Sequence, residues 1–375
     1  MTGESAIIKT CRHSCLSFWG KLLGRHEDSS LSSAAWRGVA AGFSIAYGMG
    51  ARARRFIYCR RWLTVHRLPR PVISVGNLTV GGTGKTPVTA SLARYFLAQG
   101  LKAAILSRGY GGRRRGVTRL SEGRHVYFKP PEVGEEAYWL ARSLPGAAVY
   151  TAPSRYAAGL AAWQDLQPDL FLLDDGFQHF QLHRDLDIVL LDAESPFDNG
   201  RVLPRGRLRE PASVLAAADV LILTRYEAHR HQAQLEGTKT RFPDKLILTA
   251  AISPTGARRF PGGGERPPVD LRGLPLLAFA GLARPRGFAR SLEDLGIDLK
   301  AFRTFPDHYE YNDGDLASLV QEAARLKAPA LITTSKDFAR LGEKWLWELP
   351  LWVLEVEARV DWELLAPVWQ RIFGE

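Results

Sequence analysis

The feature that most constrains this chain is a glycine-rich stretch, GNLTVGGTGKT, at residues 76–86. An apolar run at 71–75 precedes it, and a stretch of helical character at 88–97 follows it. A strand, a glycine-rich turn and a helix N-terminus together hold nucleotide phosphates, because backbone N–H groups and the helix dipole both favour an anion. The sequence therefore predicts a nucleoside triphosphate site.

The residue types in this stretch predict individual roles. The strict pattern G-x-x-x-x-G-K-[ST] fails at one place, because Thr79 stands where the first glycine belongs. Residues 81–86 match the G-G-x-G-K-T variant found in P-loop ATPases. Lys85 is expected to reach the β- and γ-phosphates of ATP, and Thr86 to bind Mg²⁺. The candidate nucleotide-binding residues are Gly81, Gly82, Thr83, Gly84, Lys85 and Thr86.

Recurring apolar runs predict an α/β fold. They lie at 72–75, 103–106, 147–150, 170–173, 188–191 and 220–223. Continuous rather than alternating apolar runs indicate strands buried on both faces, and therefore a largely parallel sheet with flanking helices, as in P-loop NTPases. Ligands of such sheets lie beyond the carboxyl ends of the strands.

Two polar stretches directly follow predicted strands. Arg108 stands on a glycine-rich turn, SRGYGG, where it is well placed to contact a phosphate. The stretch DDGFQH begins with Asp174 and Asp175. P-loop enzymes place the carboxylate that holds Mg²⁺, directly or through water, at the end of an apolar strand. These two aspartates are the candidate metal ligands, since a nearby cation is the natural reason to keep adjacent carboxylates.

Three further stretches carry candidate chemistry. Residues 198–211 form a loop too rich in Gly and Pro for a helix or strand, and its four arginines indicate an anionic substrate. Glu135 lies near the start of a predicted helix. Asp307 and His308 follow the apolar end of a strand, and a carboxylate paired with His is a usual acid/base device.

At 375 residues the chain is long enough for two domains. We predict a P-loop domain at 70–225 and a smaller α/β domain at 226–375, with a Gly/Pro-rich hairpin or linker near 256–268. If the second domain closes on the first, His308 lies across the cleft from the P-loop.

The net charge of +11 is concentrated near the N-terminus, where residues 1–70 carry twelve Lys or Arg and three Asp or Glu. Residues 1–33 are predicted to be a loosely ordered extension. Three cysteines provide no disulfide framework, and no Cys/His cluster has zinc spacing, which fits a reducing cytoplasm.

Residues 34–69 are predicted to be an amphipathic, basic, membrane-associating helix region. The apolar stretch at 38–51 is shorter than the roughly 20 residues that span a bilayer. A helix lying on anionic lipid is predicted; a core helix covering the sheet is the alternative. One helical face carries Trp36, Val39, Phe43 and Tyr47.

With these stretches in place, the sequence resembles the tetraacyldisaccharide 4'-kinase family of lipid A biosynthesis. The matching segments run in the family's order from about residue 77 to 337, and they are GNLTVGGTGKTP, LSRGYGG, LLDDGFQH, NGRVLPRGRLREP, FAGLARPRGF, FPDHY and TTSKD. The resemblance implies transfer of the γ-phosphate of ATP, with Mg²⁺, to the 4'-hydroxyl of a tetraacylated glucosamine disaccharide 1-phosphate, giving lipid IVA.

The resemblance further implies a peripheral enzyme on the cytoplasmic face of the inner membrane. Its expected partners are the acylated disaccharide phosphate lipid and the anionic membrane surface. Neither nucleic acid nor an obligate protein partner is expected.

The resemblance also assigns roles to residues. In the family, the aspartate of a G-D-E motif pairs with the histidine of a D-H motif to activate the acceptor hydroxyl. Here Glu135, one methylene longer, occupies the aspartate position. The expected catalytic residues are Lys85, Glu135, Asp307 and His308. The expected substrate-binding residues are Asn77, Arg108, Gln178, His179 and Arg209. The expected metal ligands are Thr86, Asp174, Asp175 and Glu210.

Two other functions fit parts of the sequence. A membrane- or DNA-associated ATPase switch of the partitioning type also uses G-G-x-G-K-T, but such proteins carry a second lysine where Val80 stands here. A P-loop kinase for a soluble metabolite leaves the basic N-terminal segment unexplained.

Overall fold

The structure, a computed structural model, describes residues 31–341 and 349–374. Within them, thirteen strands form one sheet. The strands are β1 (Val72–Asn77), β2 (Ala103–Ser107), β3 (Thr118–Glu122), β4 (Ala148–Thr151), β5 (Leu170–Asp174), β6 (Leu186–Asp192), β7 (Val220–Thr224), β8 (Leu246–Phe260), β9 (Glu265–Arg266), β10 (Pro275–Ala280), β11 (Asp298–Thr304), β12 (Ala330–Thr334) and β13 (Leu351–Val360).

Helices cover both faces of this sheet. They are α1 (Leu31–Cys59), α2 (Lys85–Ala98), α3 (Glu135–Ser143), α4 (Arg155–Leu166), α5 (Ala228–Arg241), α6 (Pro285–Asp294), α7 (Asp313–Arg325), α8 (Ser335–Leu341) and α9 (Ala366–Phe373). Short 3₁₀ turns lie at Ala212–Ala217, Pro268–Leu271 and Trp362–Leu365.

The predicted largely parallel α/β sheet is confirmed. In one half the order is β8-β7-β6-β1-β5-β2-β4, and every neighbouring pair is parallel. In the other half the order is β11-β10-β12-β13, again all parallel. Every strand predicted from an apolar run is present, because such a run is buried on both faces of the sheet.

The two parallel halves meet at an antiparallel pair, β8 and β13. Glu355 pairs with Gly256 but Val356 pairs with Pro254, so β8 carries one extra residue. Such a bulge bends the strand and increases its twist. The curled sheet brings the carboxyl ends of strands from both halves to a common cleft, although the halves run in opposite directions.

The boundary predicted after residue 225 remains a prediction, and the sheet continues across it through β7 and β8. The predicted Gly/Pro-rich hairpin is present, since β8 and β9 pair antiparallel. Helix α9 returns to the first half, where the ring centroid of Trp369 lies 5.1 Å from that of Phe96 in α2.

Helix α1 begins at Leu31, so the part of the predicted loose extension at residues 31–33 is helical. Residues 1–30 of that prediction lie outside the described residues. No helix among the described residues is both long and apolar enough to cross a membrane. Several large apolar side chains of α1 are nevertheless exposed: Val39, Phe43, Ile45, Tyr47, Met49 and Phe56.

We expect Gly76→Ala to destabilise the protein, because its new Cβ would lie 2.5 Å from the Phe177 Cβ and 2.7 Å from the Phe177 nitrogen. Overpacking of this kind costs about 1–3 kcal/mol. Urea unfolding of the purified protein measures the change in the free energy of unfolding. The matched control is Gly237→Ala on exposed α5, where nothing lies within 4 Å and about 0.5–1 kcal/mol of stabilisation is expected. Equal stability of Gly76→Ala and wild type would contradict the packing at β1.

Candidate active site

A glycine-rich loop at residues 78–84, called here the phosphate loop, connects β1 to α2. Its backbone requires glycine at two positions. Gly81 has a φ of 107° and Gly84 a φ of 81°, a region that L side chains rarely adopt. An added Cβ at Gly84 would also lie 2.6 Å from the Ile252 side chain. The loop therefore has one defined conformation.

Side chains fix the carbonyl groups of the phosphate loop. The Arg207 guanidinium donates to the Val80 carbonyl (2.9 Å), the Arg225 guanidinium to the Gly82 carbonyl (2.7 Å) and the Thr224 hydroxyl to the Thr83 carbonyl (2.8 Å). Arg225 is held in turn by the buried carboxylate of Asp192, which also pairs with Arg284 at 2.6 Å. The loop is thus supported by charged groups outside the sequence motif.

Lys85 is buried at the first turn of α2, with its amine pointing back toward the end of β1. Its Nζ donates to Asn77 Oδ1 at 3.2 Å and lies 3.7 Å from Asp175 Oδ1. The amide nitrogen of Asn77 donates to the Thr79 carbonyl at 2.7 Å, which fixes the side chain that orients the lysine. Thr86, the next residue of α2, is also buried.

Two carboxylates at the end of β5, Asp174 and Asp175, have different surroundings. Asp175 adopts a φ of 56°, a strained conformation of the kind concentrated at functional sites. Both of its oxygens accept from Arg209 Nη1 at 3.0 Å. Despite burial, the charges of Lys85 and Arg209 lower the pKa of Asp175.

Asp174 accepts from the Thr89 hydroxyl at 3.4 Å. Burial, together with the charges of Glu136 and Asp175, raises the pKa of Asp174 to about 7. A cation placed against this carboxylate would therefore favour its ionised form.

The Gln178 side chain connects the end of β1 to Arg209. Its Nε2 donates to the Asn77 carbonyl at 3.0 Å, and its Oε1 accepts from Arg209 at 3.4 Å. His179 Nε2 is buried without a hydrogen-bond partner. Burial and the charge of Arg155 lower the pKa of His179 to about 4. His179 is therefore a neutral imidazole with an unused nitrogen.

A second cluster joins α3 to the other half of the sheet. Glu135 Oε2 lies 3.5 Å from His308 Nδ1 and 2.6 Å from Arg340 Nε. His308 has a φ of 58°, and its Nε2 lies 4.0 Å from Asp307 Oδ2. The hydrogen bond to Glu135 raises the pKa of His308. Despite its burial, contact with His308 and Arg340 lowers the pKa of Glu135.

One residue connects the two clusters. Glu136 pairs with Lys336 at 3.2 Å, and the charges of Lys336 and Lys85 both lower its pKa. It also raises the pKa of Asp174. The adjacent glutamates at the start of α3 thus have different partners, Glu135 contacting His308 and Glu136 contacting Lys336.

Two predicted residues lie at the margin of these clusters. Arg108 is exposed on the loop after β2 and lines a small cavity of about 40 Å³ with Arg114 and Arg115. Glu210 is buried, and its Oε2 pairs with Arg55 Nη2 of α1 at 2.6 Å. The structure therefore places Glu210 against helix α1, and its role as a metal ligand stays a prediction.

Several residues of the site escaped the sequence argument. Lys336 lies within TTSKD, a segment quoted above without a role for its lysine. Arg340 follows one helical turn later, so the i, i+4 spacing could have identified it. Asp192, Arg225 and Arg155 lie outside every motif identified in the sequence. They are recognised only in the structure, where Asp192 and Arg155 are buried and Arg225 pairs with Asp192.

Comparisons with known proteins identify relatives of the whole chain. The family described as Tetraacyldisaccharide-1-P 4'-kinase matches residues 38–372. A tetraacyldisaccharide 4'-kinase of Geobacter sulfurreducens is 42% identical over 349 residues, covering 92% of this chain and 96% of the relative. One from Pelobacter propionicus is 41% identical over 330 residues, covering 88% and 90% respectively.

A solved structure is similar in both sequence and fold. It is the crystal structure of LpxK from Aquifex aeolicus in complex with ATP, 33% identical with a TM-score of 0.72. The alignment covers 90% of this chain and 99% of that chain.

We expect Glu135→Gln to lower the pKa of His308, because the variant removes the carboxylate that stabilises the protonated imidazole. NMR titration of the labelled histidine ring measures this pKa. Glu136→Gln is the matched control, since its carboxylate pairs with Lys336 instead, and it should shift His308 much less. An unchanged or higher pKa in Glu135→Gln would show that the pair does not form in solution.

Proposed function

The chain belongs to the tetraacyldisaccharide-1-P 4'-kinase family, and from that premise we propose how its residues carry out the reaction. The protein is a kinase of lipid A biosynthesis that phosphorylates the 4' position of a lipid disaccharide phosphate, with ATP and Mg²⁺. The proposal depends on one observation above all. Glu135 Oε2 lies 3.5 Å from His308 Nδ1, and the adjacent Glu136 pairs with Lys336 within electrostatic range of Lys85.

Donor binding is assigned to the phosphate loop. Side chains hold the carbonyl groups of Val80, Gly82 and Thr83, and the N–H groups of residues 81–84 would bind an anion together with the N-terminus of α2. Lys85, already oriented by Asn77, would neutralise the β- and γ-phosphates. Gly81, Gly82, Thr83, Gly84 and Thr86 complete this set, and Arg108 contacts a phosphate from the opposite loop.

The residues present fit a magnesium ion. No group of three or more His, Cys, Asp or Glu within residues 31–341 and 349–374 is arranged to hold a metal by itself. Mg²⁺ usually takes only one or two carboxylates and completes its shell with phosphates and water. Asp174, Asp175 and the Thr86 hydroxyl would supply those protein ligands. The bound ion would neutralise charge on the transferring phosphate.

Acceptor activation is assigned to the Glu135–His308 pair. His308 Nδ1 lies 3.5 Å from Glu135 Oε2 and 3.4 Å from Arg340 Nη2. In the tautomer whose Nδ1 proton is directed at Glu135, Nε2 would accept the proton of the 4'-hydroxyl. Glu135 would hold this tautomer and stabilise the imidazolium that forms, and Asp307 adds a negative charge beside Nε2. The 3.5 Å distance between Glu135 Oε2 and His308 Nδ1 supports the proposal that this glutamate takes the role of the family's aspartate.

Substrate contacts are proposed for the side chains around Asp175. Arg209 donates a hydrogen bond to Gln178, and Gln178 donates one to the Asn77 carbonyl. His179 has one buried ring nitrogen without a hydrogen-bond partner. They would bind polar groups of the sugar phosphate.

We also propose that α1 lies on the inner-membrane surface, at its cytoplasmic face. Phe43 and Ile45 are each 64% exposed, and water-exposed apolar side chains on a basic helix favour an anionic lipid interface. A helix covering the sheet core, the alternative above, would bury them. The expected independence from nucleic acid and protein partners also stays a prediction, which the purified chain tests on lipid alone.

The function is tested by transfer of labelled phosphate from ATP to the tetraacylated disaccharide. We expect Lys85→Met to abolish transfer, and His308→Ala to lower kcat by roughly 10²–10⁴-fold, because only the acceptor loses its base. ATP binding, measured by calorimetry, should survive in His308→Ala. Loss of tight ATP binding in His308→Ala would contradict its assignment to the acceptor. ATP hydrolysis stimulated by DNA or bare membranes, without lipid phosphorylation, would instead support the partitioning-type switch.

Membrane contact is tested by sedimentation with vesicles containing anionic lipid. We expect the double variant Phe43→Ser, Ile45→Ser to bind vesicles at least about tenfold more weakly, since each large apolar side chain contributes about 1.5–3 kcal/mol when fully buried. The matched control is Leu364→Ser, which removes an apolar side chain 57% exposed outside α1. Equal loss of binding in both would indicate a general surface effect.

A further inference from the structure

Some side chains of helix α1 pack against the arginine-rich loop at 198–211, and others are exposed to solvent. The Ser44 hydroxyl donates to the Val202 carbonyl at 2.8 Å. One turn later Gly48 is buried, and an added Cβ there would lie 3.3 Å from the Val202 side chain. Small residues four apart thus let the helix backbone approach this loop closely.

An ion pair with little access to solvent joins the C-terminal half of α1 to the same loop. Arg55 Nη2 lies 2.6 Å from Glu210 Oε2, and the two side chains are only 14% and 5% exposed. The Arg55 guanidinium also lies 4.8 Å from the ring centroids of Phe177 and Phe180. Removal of one partner would leave a buried, unpaired charge, so the contact strongly favours one geometry.

The residue beside Glu210 is part of the candidate active site. Arg209 donates through its backbone to the Leu78 carbonyl at 2.7 Å and through its side chain to both oxygens of Asp175. Asp175 is in turn 3.7 Å from Lys85 Nζ. A continuous series of contacts therefore runs from α1 to the phosphate-binding lysine.

Tyr47 provides independent evidence that α1 lies close to this series. Partial burial raises its pKa, the Arg209 charge opposes that effect and the Glu210 charge adds to it. Both loop residues are thus within electrostatic range of a second α1 side chain, that of the residue immediately before Gly48.

We propose that Arg55 is a positioning residue of the kinase: its contact with Glu210 holds Arg209 against Asp175, so that α1 must be docked for phosphate transfer. The proposal rests on the proposed function of the cleft. Under it, the helix that contacts lipid also completes the catalytic geometry, and Glu210 acts through Arg209. Membrane attachment alone would require none of these buried contacts.

The test compares Arg55→Met, Glu210→Gln and the double variant in mixed micelles at saturating lipid and MgATP. Each single variant should lower kcat by about tenfold or more, and the double variant should be no worse than the poorer single one, because all three remove the same contact. Arg55→Lys, which keeps the charge and loses the planar fork, should be intermediate.

Arg52→Met is the matched control, since Arg52 is an exposed cation on the same helix. It should raise the KM for lipid while retaining kcat. Hydrogen exchange supplies a readout that does not need activity: the Arg209 amide, bonded to Leu78, should exchange faster in Arg55→Met than in wild type or Arg52→Met.

Three results would overturn the positioning role. Arg55→Met with a normal kcat and only a raised KM for lipid would make α1 an anchor alone. Multiplicative losses in the double variant would show that Arg55 and Glu210 act separately. A raised KM for Mg²⁺ in Glu210→Gln, with no change in Arg209 exchange, would instead support the metal role of Glu210. Failure of the wild-type protein to phosphorylate the lipid would contradict the proposed function. Hydrogen exchange at the Arg209 amide would still test whether the Arg55–Glu210 contact positions Arg209.

Discussion

The antiparallel pairing of β8 with β13 is the constraint on which the rest of the structure depends. It reverses strand direction between two parallel halves, so a flat sheet would place their carboxyl ends at opposite edges. Ligands of parallel sheets bind at those ends, and a cleft shared by both halves therefore requires a strongly curled sheet. The bulge opposite Glu355 supplies local bending. Contacts of Arg340 with Glu135 and of Arg284 with Asp192 show the closure that results.

The carboxylates that line the cleft are stabilised by nearby lysines. Asp174 is buried, whereas Asp175 and Glu136 are partly exposed. The three carboxylates repel one another, and their full or partial loss of hydration adds a free-energy cost to the ionised forms. Lysines supplied by the two halves, Lys85 and Lys336, offset that cost for Asp175 and Glu136. Asp174 retains a raised pKa, so a cation bound beside it would favour its ionised form.

Helix α1 has an exposed apolar surface and a second surface that packs against the arginine-rich loop. Its exposed side chains are apolar and suit a lipid surface, whereas Ser44, Gly48 and Arg55 form a narrow stripe that fits the arginine-rich loop. An acylated acceptor must present its sugar hydroxyl to the cleft while its acyl chains remain in lipid. A helix docked beside Glu210 would set the distance between the membrane surface and the reacting groups.

The sequence alone determined the phosphate loop, the buried parallel strands and most candidate residues, because positive-φ glycines and continuous apolar runs are local signals. It missed β3, a short strand whose sequence TRLSE lacks a continuous apolar run. Only the tertiary structure decided which side chains meet. Glu136 and Lys336 are 200 residues apart in the sequence, and Glu210 and Arg55 are 155 residues apart. Such pairs depend on strand order and sheet curvature, which result from packing of the whole chain and leave no periodic trace in the sequence.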